Sequence, residues 1–246
     1  MPTVPYYREH LARIHHEGFA FHADAVAPGI LELLRPVLDR DGLVMEIGCG
    51  SGLLTKYLVD AGHRVLATDA SPAMVELARA HVPAASVEVL RVPDDPLPPA
   101  EAIVSVGHPL SYLDDEEQLN QALLAIADAL GPEGVLAFDI CDLDWGVARS
   151  EQPPAVWFGE DWVLTTRFSV PEPTRFRREM TMFVREGDLW RRDDETHDNV
   201  LVDTSQIPTF LDRIGIAAEI RPAFGDELLP VGLVAVVGRR RRGTKP

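Results

Sequence analysis

Hydrophobic and polar positions along the chain change period several times, and each change marks an element. Residues 6–38 carry apolar side chains at helical spacing, most clearly in His10-Leu11-Ala12-Arg13-Ile14 and Gly29-Ile30-Leu31-Glu32-Leu33-Leu34, and predict a helical cap. Short apolar runs then alternate with amphipathic stretches. Leu43 to Ile47, His63 to Asp69, the stretch from Val87, Ala102 to Val106 and Val135 to Ile140 read as strands. Between them, Leu53 to Leu58, Ser71 to Arg79 and Glu116 to Leu130 read as helices. The last of these places Leu119, Ala122, Leu123, Ile126 and Leu130 on one face, and Gly131-Pro132-Glu133-Gly134 stops it. Strands that alternate with helices predict an α/β fold built on a mostly parallel sheet.

From about residue 142 to 202 the texture becomes β-rich. Trp162 to Val170, Arg175 to Arg185 and Leu189 to Val202 predict three successive strands, separated by Pro-Glu-Pro and Glu-Gly-Asp turns. Their charged alternation suits an antiparallel insert with one solvated face. Glu195 and His197 fall on the same side of the last strand, which faces either a pocket or a salt-bridged exterior. Beyond the insert, Thr204-Ser205-Gln206 caps a helix carrying Ile207, Phe210, Leu211 and Ile214, and strands follow at Ala218 to Arg221 and Val231 to Val237. The expected organisation is therefore a main domain of residues 1–141 and 203–238 (1–38 being the cap), an insert at 142–202, and a basic tail at 239–246.

The densest chemical signal is the turn after the first strand. Glu46-Ile47-Gly48-Cys49-Gly50-Ser51-Gly52 joins an acid at the strand end to three alternating glycines. Glycine tolerates positive φ and lets a ligand approach bare backbone, and the following helix points free N–H groups at the same place. A dinucleotide fingerprint would need its third glycine where Leu53 stands. Glu46 also suits a cationic or amine-bearing ligand end better than a pyrophosphate. Asp69 ends the second strand 17 positions after Gly52, where a carboxylate can accept both hydroxyls of a ribose. Ser71 and Pro72 then cap and open a helix.

Glu46 to Gly52, Asp69 and the Asp-Ala-Ser-Pro-Ala-Met stretch at 69–74 resemble class I S-adenosylmethionine-dependent methyltransferases. The resemblance spans about residues 40–140 and implies a three-layer, doubly wound, Rossmann-like sheet of seven strands. It implies that Glu46 lies near the methionine amine and that the backbone of Gly48, Cys49, Gly50 and Gly52 passes under methionine and ribose. It further implies that Asp69 holds the ribose hydroxyls, that Ala70 and Met74 flank adenine, and that Val106 and Gly107 border the donor. S-adenosylmethionine is thus the expected cofactor and S-adenosylhomocysteine its product. The family's usual acid after the third strand is missing, and the adenine contact stays open among Arg91, Val92 and Asp94. An insert after the fifth strand resembles the small-molecule N-methyltransferases that act on amino sugars and natural products, where it forms a lid or a dimer surface. A homodimer is therefore one expected assembly.

Composition narrows the acceptor. The net charge of -16 argues against a polyanionic partner, because nucleic-acid binders need a positive face. Gly107-His108-Pro109-Leu110 also lacks the Asn/Asp-Pro-Pro-aromatic signature of enzymes that methylate nucleic-acid amines. Arg239 to Arg242 read as a solvated tail. No apolar run reaches the roughly 18 residues that span a bilayer. Two cysteines, Cys49 and Cys141, suggest no disulfide framework, so the expected setting is the cytoplasm. No Cys/His cluster has metal-ligand spacing, and no metal is expected.

The expected reaction is in-line methyl transfer to an N or O atom of a small molecule, with an imidazole taking or relaying the acceptor's proton. His108, in the loop after the fourth strand, is the first candidate, followed by His15 or His16 in the cap and His197 in the insert. Phe19, Tyr112 and Glu195 are candidate acceptor contacts. A cofactor-binding or partner subunit without catalysis is the alternative from another class, and a nicotinamide-dependent reductase is the rival enzyme.

Overall fold

The computed structural model describes residues 6–241. Its first five strands are β1 (Leu43–Ile47), β2 (Arg64–Asp69), β3 (Ser86–Val89), β4 (Ala100–Ser105) and β5 (Leu130–Cys141). They pair in parallel in the order β3-β2-β1-β4-β5. Val44, Met45, Ala102, Ile103, Val104, Ala137 and Phe138 are all fully buried, as expected of strands covered on both faces. Helices supply that cover. On one side, α2 (Phe21–Leu38), α3 (Leu53–Asp60) and α4 (Pro72–His81) pack Ile30, Leu34, Leu58 and Val75 onto the sheet. On the other, α5 (Glu116–Ala129) lays down Leu119, Leu123 and Ile126. The strand order reverses between β1 and β4, which opens a crevice beyond their carboxyl ends.

Helix starts follow local chemistry. Ser71 accepts the Met74 N–H at 3.3 Å and Asp115 that of Gln118 at 2.9 Å, each satisfying a first-turn donor. The cap is two helices rather than one continuous helical stretch: α1 (Glu9–Gly18) ends before α2, with Phe19 out of helical geometry. Gly18 lies where the Trp162 ring presses against it, at 2.9 Å from any added Cβ.

The insert is larger than the sequence pattern suggests. It begins with α6 (Asp144–Ser150) and has four strands, β6 (Ala155–Phe158), β7 (Trp162–Glu172), β8 (Arg175–Glu186) and β9 (Leu189–Val200). All neighbours are antiparallel, in the order β6-β7-β8-β9. Neither α6 nor β6 was expected, because seven and four residues are too short to display a period. Trp162, Leu164, Met180, Met182 and Val184 meet Leu11 and Ile14 of α1, so one face of the insert rests on the cap.

After α7 (Ile207–Arg213), β10 (Ile216–Arg221) and β11 (Leu233–Arg240) join the main sheet antiparallel, β11 beside β5, and complete seven strands. Here the expected tail needs correction. Arg239 and Arg240 belong to β11, and Arg240 is buried with its guanidinium donating to the Ala127 and Leu130 carbonyls. Arg241 pairs with Asp212. Residues 242–246 lie outside the described residues. Among the described residues no helix is long and apolar enough to cross a membrane, and no group of residues could hold a metal ion.

Candidate active site

A cavity of about 510 Å³ lies beyond the carboxyl ends of β1, β2 and β4 and is roofed by the cap. At one end Glu46, Gly48, Cys49, Gly50, Asp69 and Met74 line it, with Ala70, Val106 and Gly107 adjoining. The Glu46 carboxyl is almost wholly enclosed, at 2% exposure, and accepts the Thr55 hydroxyl at 2.6 Å. Burial pushes its pKa up to about 8, against the pull of Thr55 and with a further push from Asp69. Asp69 accepts the Gly50 N–H at 2.9 Å through one oxygen and the Ser71 N–H at 2.8 Å through the other. Burial raises its pKa too, and those backbone donors oppose the rise. Asp69 therefore both braces the glycine turn and offers its remaining lone pairs to the cavity.

The glycines have separate tasks. Gly48 has φ +71°, and a Cβ there would sit 2.3 Å from the Pro109 ring, so the turn and the next loop can approach only over bare backbone. Gly52 does not line the cavity, contrary to expectation. It opens α3 in the left-handed region, and its missing Cβ leaves room for Val82 and Ala78 of the α4 end. The Cys49 thiol is buried, and burial holds its pKa well up, with Glu46 and Asp69 acting the same way, so it is inert. Leu90, Arg91, Val92 and Asp94 continue the wall past β3, and all three residues left open for an adenine contact are present there.

At the opposite end the wall is aromatic: Tyr6, Tyr7, His15, Phe19, His22 and Tyr112. Of these, His15, Phe19 and Tyr112 are among the sequence candidates. His15 stacks on Phe19 at 5.7 Å, and burial, reinforced by Arg178, holds its pKa down at about 4. It is neutral at pH 7. The remaining candidates need correction. His108 does not line the cavity; its ring lies behind the wall, stacked on Tyr112 at 5.9 Å and close to Trp145, while its backbone N–H donates to Asp139 at 2.6 Å. A left-handed backbone, φ 52°, turns it inward. His16 also misses the cavity, bonding Ser51 at 2.9 Å and meeting the His81 ring. Glu195 and His197 are buried on the inner face of β9 rather than on a solvated exterior, but neither reaches the wall.

Several functional residues escaped the sequence reading. His22 lines the cavity with its Nε2 3.0 Å from an Asp139 oxygen, and Asp139 is wholly buried and also accepts the Gly107 N–H at 3.0 Å. A lone acid inside the apolar run of β5 was a signal that could have found it. Arg178 donates to the Tyr112 hydroxyl and faces no carboxylate within ion-pair distance among the described residues. Amid the arginines of β8 it carried no distinguishing mark.

The donor end fits S-adenosylmethionine. An enclosed acid with a free oxygen suits an ammonium, a carboxylate with spare lone pairs suits a ribose diol, and Met74, Leu90 and Leu110 give an apolar slot for a purine. Residues 44–134 match a family described as a methyltransferase domain. That segment, from β1 to the start of β5, is similar to methyltransferase domains. An uncharacterized methyltransferase of Oceanobacillus iheyensis, OB1106, is 35% identical over 98 residues, which cover 39% of this chain and 45% of that relative's length. A crystal structure of an S-adenosylmethionine-dependent methyltransferase from Clostridium acetobutylicum superposes with a TM-score of 0.78 at 15% identity, over 94% of this chain and 98% of that one. The sugar N-methyltransferase KedS8 from a Streptoalloteichus species superposes at 0.74, with 21% identity and 98% of each chain covered. The fold of this chain is thus that of class I methyltransferases, insert included.

Proposed function

We propose that the protein transfers a methyl group from S-adenosylmethionine to an N or O atom of a small molecule. The observation that carries this reading is one continuous cavity whose donor end has Glu46 and Asp69 and whose other end is a ring of phenols and imidazoles. S-adenosylmethionine supplies a sulfonium methyl that needs no further activation, so the protein's part is to position and to exclude water. Glu46 would hold the amine and Asp69 the ribose hydroxyls. Gly107 and Pro109, after β4, would border the reacting atoms, and His22 or the Tyr7 and Tyr112 hydroxyls would meet the acceptor's proton. An aromatic lining of this kind suits a sugar, the acceptor class named for KedS8. The net charge of -16 supports a small acceptor over nucleic acid. Two buried free thiols, Cys49 and Cys141, support a reducing cytoplasmic setting.

Calorimetry with S-adenosylmethionine, S-adenosylhomocysteine and NADH tests the donor. Binding of the first two is expected, and binding of NADH alone would refute the reading. Asp69→Ala should weaken the donor by about 1–3 kcal/mol through lost charge-assisted hydrogen bonds. Unchanged affinity in a variant whose thermal unfolding is intact removes Asp69 from the site. Donor binding with no transfer of labelled methyl to any member of an acceptor library favours a non-catalytic subunit.

A further inference from the structure

Behind the phenols of the acceptor end, the insert assembles ionisable groups that cofactor binding does not use. Glu195 is buried and receives backbone N–H groups on both oxygens, from Tyr7 and from Arg8, each at 2.9 Å. Its Oε2 also lies 2.8 Å from His197 Nε2. His197 is fully enclosed, and its Nδ1 stands 3.3 Å from the Tyr112 hydroxyl. The Tyr112 oxygen lies 3.0 Å from that of Tyr7, and Arg178, opposite His197 in the β8–β9 register, donates to the Tyr112 oxygen. Both phenols line the cavity.

Counting donors and acceptors fixes the direction of this chain. A carboxylate already holding backbone donors requires a proton on His197 Nε2, which leaves Nδ1 as a lone pair. The Tyr112 oxygen takes the Arg178 N–H and the Tyr7 O–H on its two lone pairs, so its own proton points to Nδ1. Arg178 also bonds the Tyr7 oxygen, which leaves Tyr7 one lone pair for the cavity. We propose that Tyr7, Tyr112, His197 and Glu195 form a proton relay that drains the proton of an acceptor hydroxyl during methyl transfer.

This inference rests on the methyltransferase reading and names its acceptor class. As the acceptor oxygen forms its bond to the methyl carbon, the sulfur–carbon bond breaks and leaves its electron pair on sulfur. The O–H proton passes to the Tyr7 oxygen, the Tyr7 proton to Tyr112, and the Tyr112 proton to His197 Nδ1. The imidazolium so formed is paired with Glu195 and, once the product has left, returns its proton through Tyr112 and Tyr7 to water in the cavity. Arg178, the charge in contact with the phenols, eases the negative charge that develops on an acceptor oxygen as its proton leaves. The resting state is consistent with a relay. Burial raises the Tyr112 phenol well above its usual range, with Arg178 opposing, so it rests protonated. Burial holds His197 down at about 4, against Glu195 and with Arg178, and the Tyr6, Tyr7 and Tyr112 rings complete its surroundings, so Nδ1 is free at pH 7. Tyr7, Tyr112 and His197 are the catalytic candidates, and Glu195 is a positioning residue.

Two measurements on the full chain test this. Long-range proton–nitrogen NMR of histidine-labelled protein at pH 7 should show His197 neutral with its proton on Nε2, and Glu195→Gln should shift that signal. The Nδ1–H tautomer, or an imidazolium, in the unmodified protein would overturn the relay with no variant or acceptor involved. The second arm uses S-adenosylmethionine with tritiated methyl and a paired panel of phenol, catechol and glucosamine. Transfer to the hydroxyl acceptors should fall about 100-fold or more in His197→Gln, the usual scale of acid–base catalysis, with donor affinity unchanged. Undiminished hydroxyl transfer, or transfer confined to the amine, would overturn it. Failure of the unmodified protein to bind the donor would instead strike the methyltransferase reading, and the tautomer then decides the relay alone.

Discussion

At Glu46 the burial that shapes the donor end also works against the charge that donor binding needs. The folded protein holds this carboxyl near pKa 8 because it is desolvated, whereas an unfolded chain would hold it near 4.5. Between those values the folded state carries a proton that the unfolded state lacks, so this group makes stability fall as pH rises, by about 1.4 kcal/mol per unit across the window. Glu46→Gln keeps an oxygen for the Thr55 hydroxyl and has nothing to titrate. The variant should therefore unfold at a higher temperature than the unmodified protein at pH 8, with the difference closing by pH 5. Parallel slopes in melts across that range would show that Glu46 is ionised in the free protein. An ammonium beside Glu46 favours the charged form, so donor binding at pH 7 should release close to one proton, read by calorimetry in two buffers of different ionisation enthalpy. The position of this acid was legible in the sequence, because it ends an apolar strand immediately before the glycine turn. Its protonation was not, because enclosure comes from Thr55 on α3 and from the cap together. His108 illustrates the same limit in reverse. A loop imidazole beside a glycine read as the first candidate for the acceptor's proton, but its left-handed backbone and the pull of Asp139 on its N–H turn the ring away from the cavity.

Elements were legible where their period was long and their neighbours local. The parallel strands, α4 and α5 could be read from apolar spacing and cap residues, since each is stabilised by its own sequence. The edges of the sheet were harder. Four consecutive arginines look alike in sequence, but β11 pairs with β5 through Arg239 and buries Arg240. The Arg240 guanidinium bonds the carbonyls of Ala127 and Leu130, at the end of α5 where the helix has no further N–H to offer. Arg240→Ala leaves these groups in a closed space, and a loss of about 1–3 kcal/mol in urea unfolding is expected. Donor affinity should stay as it was, since β11 ends far along the sheet from the glycine turn. A variant as stable as the parent would return Arg240 to the solvated tail that its neighbours suggested. The insert failed to read as four strands for a related reason. Its inner face is defined by contact with α1, a segment more than 140 residues earlier, which no local period can report.

On the scale of the whole molecule, that contact joins α1 to the insert as one layer, while α2 belongs to the core of the main sheet. The Trp162 indole fills the space over Gly18 and Gly159, and its N–H donates to Glu17 of α1 at 2.8 Å. Leu11 and Ile14 then close on Met180, Met182 and Val184. The same helix carries His15 into the acceptor end, and the segment before it carries Tyr7, which the insert holds through Glu195. The acceptor end is therefore lined by the cap and by Tyr112 and braced from behind by the insert, while the donor end belongs to β1, β2 and the turns that follow them. Trp162→Ala should cost about 3–5 kcal/mol, the range for deleting a buried aromatic ring. If α1 and the insert form one unit, amide exchange measured by mass spectrometry should quicken together in residues 9–18 and 175–200. The glycine turn should keep its protection, and the donor its affinity, in the same protein. Exchange that rose only around residue 162 would mean that α1 and the insert open independently. In that case the acceptor end would have no shared support, and its geometry would have to be held by the loop from Pro109 to Tyr112 alone.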